Sequence, residues 1–485
     1  MRAEALRERL TAAGLLATWP DGVPADLAGV TTDSRKVPPG ALFVAYAGTT
    51  SDGHAYGPAA AHAGASVLIV EHDLPGGDAP QIRVTNGRHA AAVAAALFHG
   101  DPARALQLVA VTGTNGKTTS VHLLRHLLAA AAPAASIGTL GAVGADGAVL
   151  PGTEALTTPG PVELMATLAT LRAQGVRSVA MEASSHSLDQ DRLFGLTFRA
   201  GVFTNLTRDH LDYHRTEAAY RAAKLRLADL IASDGWVVAN ADDAAWSALD
   251  GRPQRLTFGL TAGDVRATEV AGDARGMRFT LTARGTRAAL TLPLLGLYNV
   301  ENALGAAACA LALGHDLAAV AARLATTPQV PGRMERLADE PCVVLRDYAH
   351  TPAALERALA ALRPLTPGRL IAVFGCGGDR DRGKRPVMGG IAARDADLAI
   401  VTSDNPRTEN AQRILDEIEG GMGETPHLRI VDRRQAIARA LTIARQGDTV
   451  LLAGKGHETY QVVGAERFPF DEREIVTETV KAVQR

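Results

Sequence analysis

The chain has 485 residues, more than one hydrophobic core ordinarily supports, so its length predicts two to four domains. Its net charge of −2 argues against a nucleic-acid partner, which would need a basic surface. Three cysteines without paired spacing, no signal peptide and no run of about 18 apolar residues predict a reduced, cytoplasmic protein without a membrane span, and we expect a monomer.

The order of apolar patterns along the chain predicts an α/β fold. An amphipathic helix is predicted in "MRAEALRERLTAAGLL", and helices packed on a sheet are predicted in the alanine-rich stretches "AAAVAAALF" and "HLLAAAAPAAS". Strand-like runs then alternate with helical patterns, and they are "LQLVAVTG", "SVAMEAS", "AGVFTNLT", "WVVANADD", "CVVLRDYAH", "RLIAVFGCGG", "DLAIVTSDNP" and "TVLLAGKGHE". This alternation predicts mainly parallel sheets, whose ligands bind beyond the carboxyl ends of the strands.

Two breaks in these patterns predict domain boundaries. They are "FHGDPARAL" before residue 107 and the proline-rich "TTPQVPGRME" near residue 330. They divide the chain into residues 1–100, 101–332 and 333–485, each of an ordinary domain size. Within the middle part, residues 260–295 alternate apolar and polar positions and predict an antiparallel excursion.

A glycine-rich loop follows the first long apolar run. It lacks the first glycine of the common phosphate-loop pattern, because Val111 stands there. What remains can still cradle an anion with backbone N–H groups at a helix start, with Lys117 reaching phosphates and the Thr118 hydroxyl on Mg²⁺. An ordinary glycine turn is the alternative. The predicted nucleotide-binding residues are Gly113, Thr114, Asn115, Gly116, Lys117, Thr118 and Thr119.

Polar clusters follow the next two predicted strands. Glu182 at a strand end suits Mg²⁺, although such a residue is also a common surface charge. Two aspartates and two histidines then occupy residues 209–214, which favours a metal-rich site over a solvated helix start. Lys224 follows His210 by fourteen residues and, taken alone, is typical of a helix surface.

Taken together, the motifs resemble the Mur ligases of peptidoglycan synthesis. The motifs occur in that family's order from about residue 30 to residue 460, and they are "TGTNGKTT", "MEASSHSLDQDR", "TNLTRDHLDYH", "LLGLYNVENALGAAA", "GRMERL", "DYAHTP" and "FGCGGDRDRGKRP". The resemblance implies a small α/β N-terminal domain, a central ATPase domain with a mainly parallel sheet, and a Rossmann-like C-terminal domain. It also implies an amide ligase that forms an acyl phosphate with ATP and Mg²⁺.

The resemblance assigns the reacting groups and the first substrate. It makes Lys117, Glu182, His210 and Lys224 catalytic and makes Thr118, Glu182, His210 and a carbamate on Lys224 the metal ligands. The implied substrate is UDP-N-acetylmuramoyl-L-alanyl-D-glutamate, which receives a diamino acid. Residues implied at its UDP end are Thr32, Ser34, Thr49, Thr50 and Ser51. Residues implied at its muramoyl-dipeptide end are Thr157, Thr158, Ser184, Gln190 and Arg192. One departure is Leu156, where relatives often have asparagine.

The resemblance places Asn299 and Asn302 at the adenine of ATP and Asp347 at its ribose. A capped helix start is the alternative for the two asparagines. The amino-acid pocket is assigned to "SDNPRTEN" and "GKGHETYQ", with Arg385 nearby. Its residues are Arg385, Asp404, Asn405, Pro406, Arg407, Gly454 and Glu458.

The chemistry of this pocket favours meso-2,6-diaminopimelate. Arg407 can grip the distal carboxylate of that diamino acid with two parallel hydrogen bonds, and Glu458 can take its ammonium. L-Lysine and L-ornithine lack the carboxylate and remain alternatives, as does an Asx turn for "DNPR". A folylpolyglutamate-type ligase and a nucleotide-dependent binding protein without ligase activity are the more remote alternatives.

Overall fold

The computed structural model describes residues 1–49, 51–75, 79–252, 254–273 and 275–483. The chain divides into two compact units. The first unit comprises Met1–Arg266 with Asn302–Val320, and the second comprises Ala267–Glu301 with Ala321–Arg485. The predicted boundaries at residues 100 and 332 stay a prediction. Within the described ranges, no helix is long and apolar enough to cross a membrane.

The first unit begins with a five-stranded sheet in the order β1-β5-β4-β3-β2. Its strands are parallel except for β1, which runs antiparallel to β5. Apolar side chains of α1 and α3 cover one face, because Leu6 and Leu10 are fully buried at helical spacing. The elements are α1 (Ala3–Ala12), β1 (Leu16–Thr18), β2 (Gly29–Thr31), β3 (Ala41–Val44), α2 (Gly57–His62), β4 (Ala65–Val70), β5 (Gln81–Val84) and α3 (Gly87–Phe98).

The larger sheet of the first unit contains strands in the order β12-β11-β10-β6-β9-β7-β8. All neighbours are parallel except β7 and β8. The elements are β6 (Gln107–Thr112), α4 (Lys117–Leu128), β7 (Ala134–Gly138), β8 (Gly141–Val143), α5 (Pro161–Ala173), β9 (Ser178–Glu182), α6 (Ser185–Asp189), β10 (Phe198–Phe203), α7 (Leu211–His214), α8 (Glu217–Leu225), β11 (Ile231–Asn240) and β12 (Arg255–Gly259).

Residues 265–324 contain three strands and two helices. β14 and β15 form an antiparallel hairpin, as the alternating pattern predicted. The elements are β13 (Val265–Asp273), β14 (Gly276–Ala283), β15 (Thr286–Leu292), α9 (Leu297–Ala312) and α10 (Leu317–Leu324).

The second unit contains a six-stranded sheet in the order β16-β17-β21-β18-β19-β20, parallel except for β16. A separate hairpin joins β22 and β23. The elements are β16 (Glu335–Ala338), β17 (Val343–Asp347), α11 (Pro352–Leu362), β18 (Leu370–Phe374), α12 (Lys384–Asp395), β19 (Leu398–Val401), α13 (Ala411–Glu419), β20 (His427–Arg429), α14 (Arg433–Ile443), β21 (Thr449–Ala453), β22 (Tyr460–Val463), β23 (Glu466–Pro469) and α15 (Glu472–Val483).

The structure confirms the α/β class and the strands expected from the eight apolar runs. One helix prediction was partly wrong. In "HLLAAAAPAAS" the helix α4 ends at Leu128, and the last three residues begin β7. Pro133 cannot continue a helix and biases the residue before it toward extended backbone, so alanine content alone misplaced this boundary.

Candidate active site

The glycine-rich loop connects β6 to α4, as a phosphate loop requires. Gly113 and Gly116 have φ of +147° and +85°, a region that favours glycine. A Cβ at Gly113 would lie 1.8 Å from the Thr204 Oγ1, and one at Gly116 would lie 2.1 Å from the Asn302 Oδ1. The two glycines are therefore needed both for backbone conformation and for space.

The segment after β10 holds this loop in shape. The Asn205 side chain accepts a hydrogen bond from the Asn115 N–H at 2.9 Å, and Thr204 donates to the Asn115 carbonyl at 2.8 Å. The Thr114 hydroxyl bonds to Thr207 and lies 3.1 Å from the Tyr220 hydroxyl. Thr118 and Thr119 are buried in the first turn of α4. The loop is preformed, which lowers the ordering cost of binding an anion there.

Two lysines converge on one carbonyl of the loop. Lys117 Nζ lies 2.9 Å from the Gly113 oxygen, and Lys224 Nζ lies 2.7 Å from the same oxygen. Lys224 is 1% exposed, and no carboxylate within the described residues forms an ion pair with it. Burial, with the charge of Lys117 second, lowers the pKa of Lys224 well below its ordinary value. This environment favours the neutral amine.

Glu182 ends β9 and is almost fully buried. Its carboxylate accepts hydrogen bonds from the Thr139 N–H at 2.8 Å and the Thr139 hydroxyl at 3.3 Å. In the part of the chain that the structure describes, no cation pairs with this carboxylate. A buried carboxylate without a cation partner is suited to bind one.

The residues predicted for the muramoyl-dipeptide lie together around Glu182. Thr158 donates to the Glu182 carbonyl at 2.8 Å and lies 3.3 Å from the Ser184 hydroxyl. Arg192 donates to the Thr158 carbonyl at 2.9 Å and to the Gln190 side chain at 2.7 Å. The Thr157 hydroxyl lies 3.2 Å from that of Thr139. All five predicted residues therefore belong to one polar surface, formed by Thr157, Thr158, Ser184, Gln190 and Arg192.

His210 precedes α7 and belongs to a group of aromatic rings. Its ring centroid lies 4.8 Å from that of His186, which in turn lies 5.5 Å from that of His214. Burial lowers the pKa of His210 and, together with the neighbouring imidazoles, lowers the pKa of His186 to about 4. Among the described residues, no three His, Cys, Asp or Glu side chains are grouped closely enough to hold a metal ion. Glu182 and His210 therefore do not form a ready-made metal cluster.

The residues predicted at the UDP end follow two adjacent strands. Thr32 and Ser34 come after β2, and Thr49 and Ser51 come after β3. These strands are parallel, so both loops lie at the same edge of the first sheet. Thr50 lies outside the described residues.

Arg88 is a candidate site residue that the sequence motifs did not indicate. Its guanidinium donates to the Ala47 carbonyl at 2.7 Å and to the Gln190 carbonyl at 3.4 Å, and it lies over the Tyr46 ring. It thereby connects the loop after β3 to the segment after α6. The sequence carries no local signal for this contact, because its partners are 41 and 102 residues away.

The residues predicted for adenine and ribose lie on separate elements. Asn299 and Asn302 are inside α9, whose first residue is Leu297, so neither caps the helix start. Asn299 donates to the Leu295 carbonyl, and Asn302 faces Gly116. Asp347 ends β17 and accepts the Met334 N–H at 2.7 Å. Burial raises the pKa of Asp347 to about 6.

The second unit brings the predicted amino-acid residues together. Asp404, Asn405 and Pro406 follow β19, and Gly454 follows β21, two parallel strands that flank β18. A Cβ at Gly454 would lie 2.8 Å from the Asp404 Oδ2. Asn405 donates to the Glu458 Oε2 at 2.8 Å. The two motifs thus meet at the carboxyl edge of the sheet, where the sequence predicted a pocket for the diamino acid.

Arg407 extends this pocket with most of its donors available. Its Nη1 donates to the Gly378 carbonyl at 2.7 Å, and its backbone pairs with Val462. No other partner of its guanidinium is found among the described residues. The φ of +51° at Arg407 is uncommon for a residue other than glycine. This backbone angle determines the direction in which the side chain leaves the main chain.

Arg385 is engaged inside the protein instead. It is fully buried, and its two terminal nitrogens bind Glu409 at 2.8 and 2.9 Å and Glu417 at 2.8 Å. The hydrogen bonds to these carboxylates raise the pKa of Arg385 above the ordinary arginine value. In turn, the hydrogen bond from Arg385 lowers the pKa of Glu409 to about 2. These ion pairs hold the guanidinium in place, and its contact with the diamino acid stays a prediction. The sequence motif that contains Arg385 gave no indication of its two carboxylate partners, Glu409 and Glu417.

Comparison with family models covers most of the chain. Residues 26–99 match the Mur ligase family catalytic domain, residues 111–310 match the Mur ligase middle domain, and residues 332–456 match the Mur ligase glutamate ligase domain.

Individual relatives agree with these matches. The chain is 45% identical over 466 residues to a UDP-N-acetylmuramoyl-L-alanyl-D-glutamate–2,6-diaminopimelate ligase of Gloeobacter violaceus, with 94% of each chain covered. A solved structure of a ligase with the same name has 36% identity and a TM-score of 0.70, covering 97% of each chain. The fold is shared with the MurF ligase of Thermotoga maritima in complex with ADP, which has 20% identity and a TM-score of 0.66 over 94% of this chain and 97% of that one. The chain therefore belongs to the Mur ligase family of ATP-dependent ligases.

Proposed function

We propose that the protein joins meso-2,6-diaminopimelate to the D-glutamate of UDP-N-acetylmuramoyl-L-alanyl-D-glutamate, with ATP converted to ADP and phosphate. The substrates of the ligases to which the chain is similar support this pair. The observation that carries the proposal is the pocket of the second unit, where available donors of Arg407 accompany the carboxylate of Glu458. Those two charges are complementary to the distal carboxylate and ammonium of diaminopimelate.

The reaction requires two steps. The side-chain carboxylate of D-glutamate attacks the γ-phosphate of ATP, which gives an acyl phosphate and ADP. The amine of the diamino acid then attacks the acyl carbon, an amide bond forms and phosphate leaves. In the first step an anion approaches a polyanion, so the site must supply positive charge. We assign that work to Lys117 and to the backbone N–H groups of the first turn of α4, which begins at Lys117.

The donor set of the first unit fits Mg²⁺. Mg²⁺ is usually held by one or two carboxylates together with substrate phosphates, and Glu182 is a buried carboxylate without a cation partner among the described residues. The Thr118 hydroxyl, His210 and a carbamate on Lys224 complete the proposed ligands. Bound there, Mg²⁺ would neutralise phosphate charge during the transfer.

Lys224 supports the carbamate proposal by its surroundings. Only a neutral amine reacts with CO₂, and burial lowers the pKa of Lys224 well below its ordinary value. A carbamate converts this side chain into an anionic oxygen ligand, which a metal site needs and an ammonium cannot provide. The amine's hydrogen bond to the Gly113 carbonyl puts it beside the phosphate loop.

The remaining site assignments are proposals of the same kind. Thr32, Ser34 and Thr49 to Ser51 bind the UDP end, and Gln190 and Arg192, with Thr157, Thr158 and Ser184, bind the muramoyl-dipeptide. Asn299, Asn302 and Asp347 bind the nucleotide. In the pocket of the second unit we propose that the diamino acid is bound by Arg385, Asp404, Asn405, Pro406, Arg407, Gly454 and Glu458. The cytoplasmic location and the monomeric state stay predictions.

The selectivity of the pocket follows from the cost of an unpaired charge. L-Lysine or L-ornithine would leave the Arg407 guanidinium without a carboxylate. Losing a hydrogen bond to a charged group costs roughly 1.5–3 kcal/mol, or about 10- to 150-fold in selectivity. A folylpolyglutamate-type ligase is disfavoured because residues 26–99 match a Mur ligase domain.

The test is phosphate release with ATP, Mg²⁺ and UDP-N-acetylmuramoyl-L-alanyl-D-glutamate, with each diamino acid in turn. We expect turnover with diaminopimelate and at least about tenfold less with L-lysine or L-ornithine. In Arg407→Ala the KM for diaminopimelate should rise by about 10- to 100-fold. The exposed Arg413→Ala is the matched control and should leave that KM unchanged. No amine-dependent release would contradict a ligase, and an unchanged KM in Arg407→Ala would remove the role of Arg407.

A further inference from the structure

The diamino-acid pocket contains a buried cation with no role assigned above. Lys455 follows β21 and is fully buried, and its Nζ lies 3.1 Å from the Asn405 Oδ1. The same nitrogen lies 3.4 Å from the Glu458 Oε2 and 3.6 Å from the Asp404 Oδ1. Lys455 therefore contacts three of the residues proposed to form the pocket.

Lys455 contacts one oxygen of each of the two neighbouring carboxylates. Glu458 Oε2 is shared between Asn405 and Lys455, whereas Oε1 has no partner among the described residues. Within the described residues, the buried Asp404 Oδ1 accepts no hydrogen bond and has only the ion contact with Lys455. A buried carboxylate in this state depends on the neighbouring cation for its charge balance.

The charges of the pocket can be counted from these contacts. Within this group of side chains, Asp404, Glu458 and Lys455 sum to a charge of −1, since one cation contacts two carboxylates. Arg407 brings the sum over these four side chains to zero. The distal end of diaminopimelate carries one ammonium and one carboxylate and is also neutral. The distal end of L-lysine carries only an ammonium. A neutral pocket matches the first ligand and gives no net attraction to the second.

We propose that Lys455 is a specificity-determining residue whose buried charge neutralises the pocket and so disfavours diamino acids with a purely cationic end. Lys455 does not touch the substrate in this proposal. It acts by holding Glu458 through one oxygen and by cancelling one of two carboxylate charges. The inference rests on the proposed function, because it concerns the choice of amine by the same pocket.

The test compares the ratio of kcat/KM for diaminopimelate to that for L-lysine in three variants. Lys455→Met keeps an unbranched side chain of nearly the same length and removes its charge, so we expect the ratio to fall by about tenfold. Asp404→Asn removes a negative charge instead, and the ratio should rise. In the double variant the two changes cancel, and the ratio should return toward the wild-type value.

A matched control separates pocket charge from protein stability. Arg433 is also fully buried in the second unit, and it pairs with Glu472 at 2.7 Å. Arg433→Met should lower stability without moving the ratio. Thermal unfolding of each variant checks that the protein folds. If Lys455→Met does not fold, the rise expected in Asp404→Asn still tests the charge argument.

The possible failures are distinguishable. A wild-type enzyme whose phosphate release is stimulated by none of the amines would overturn the proposed function and this inference together. A selective wild type whose ratio is unmoved in Lys455→Met would overturn only the inference. Shifts of Lys455→Met and Asp404→Asn in the same direction would also overturn it, because charge requires opposite signs.

Discussion

The two units each bury a lysine beside a proposed substrate site, and the surroundings of the two side chains differ. Lys224 in the first unit contacts a backbone carbonyl and lies over the Tyr220 ring, with no carboxylate bound to it among the described residues. Lys455 in the second unit lies between Asp404, Asn405 and Glu458. Both are at most 1% exposed.

The difference shows how the surroundings of a buried amine determine whether its neutral or its charged form is favoured. Lys224 forms no ion pair with a carboxylate among the described residues, and desolvation lowers its pKa toward the neutral amine that the proposed carbamate requires. With two carboxylates, the charge of Lys455 is balanced and becomes part of the framework of the pocket. Lys224 is therefore suited to a reaction of its neutral amine, and Lys455 is suited to balancing the charge of the two carboxylates. Three predictions test this contrast, the largest effect first.

The largest effect is expected in catalysis. Lys224→Ala removes the proposed carbamate ligand, and we expect amine-dependent phosphate release to fall by about 1000-fold, in the range found when one transition-state contact is lost. Wild-type activity should also fall in CO₂-depleted buffer and recover with bicarbonate. Arg221→Ala, on the same helix, is the control and should keep most activity. A fully active Lys224→Ala enzyme would end the carbamate proposal.

A smaller effect is expected in stability without substrates. Lys455→Met leaves Asp404 and Glu458 without their buried cation, so the free energy of unfolding should fall by about 3 kcal/mol. Lys224→Met removes one hydrogen bond and no ion pair, so its loss should be about 1 kcal/mol or less. Urea unfolding of both variants measures the contrast. Equal losses would show that the two environments do not differ as described.

The smallest effect is expected in the pH dependence of unfolding. The pKa of Lys224 is lowered by burial in the folded state, so between that value and the ordinary lysine value the unfolded chain binds more protons. Wild-type stability should therefore rise with pH across this interval, by at most about 1.4 kcal/mol per pH unit.

Lys224→Met should lack this contribution. The difference in unfolding free energy between wild type and Lys224→Met is measured in CO₂-free buffers, where no carbamate forms. That difference should grow in favour of wild type as the pH increases. A difference that stays constant across the interval would contradict the lowered pKa.

Much of the fold was predictable because its signals are local. β-Branched runs predicted the strands, and the glycine and lysine spacing after β6 predicted the loop at the start of α4. Parallel order then placed Thr32 and Thr49 on one edge, and Asn405 and Gly454 on another. In each case the strand that carries the residue also determines where it lies.

The rest depended on partners that are distant in sequence. Lys455 contacts Asn405 from 50 residues away, and Arg88 contacts Gln190 from 102 residues away. Arg385 stands in a motif that suggests ligand binding, yet Glu409 and Glu417 occupy it. Such pairs form only when the chain has folded, so no local pattern predicts which charges are used internally.

The single available oxygen of Glu458 has a consequence for inhibitors. Asn405 and Lys455 occupy Oε2, so a ligand meets one carboxylate oxygen and not the usual pair. A primary ammonium needs only one acceptor, whereas an amidine or guanidine presents two parallel donors and would leave one unpaired. Analogues that compete for this pocket should therefore keep the primary amine and seek extra affinity at the carboxylate end, where the Arg407 guanidinium can donate two parallel hydrogen bonds to carboxylate oxygens.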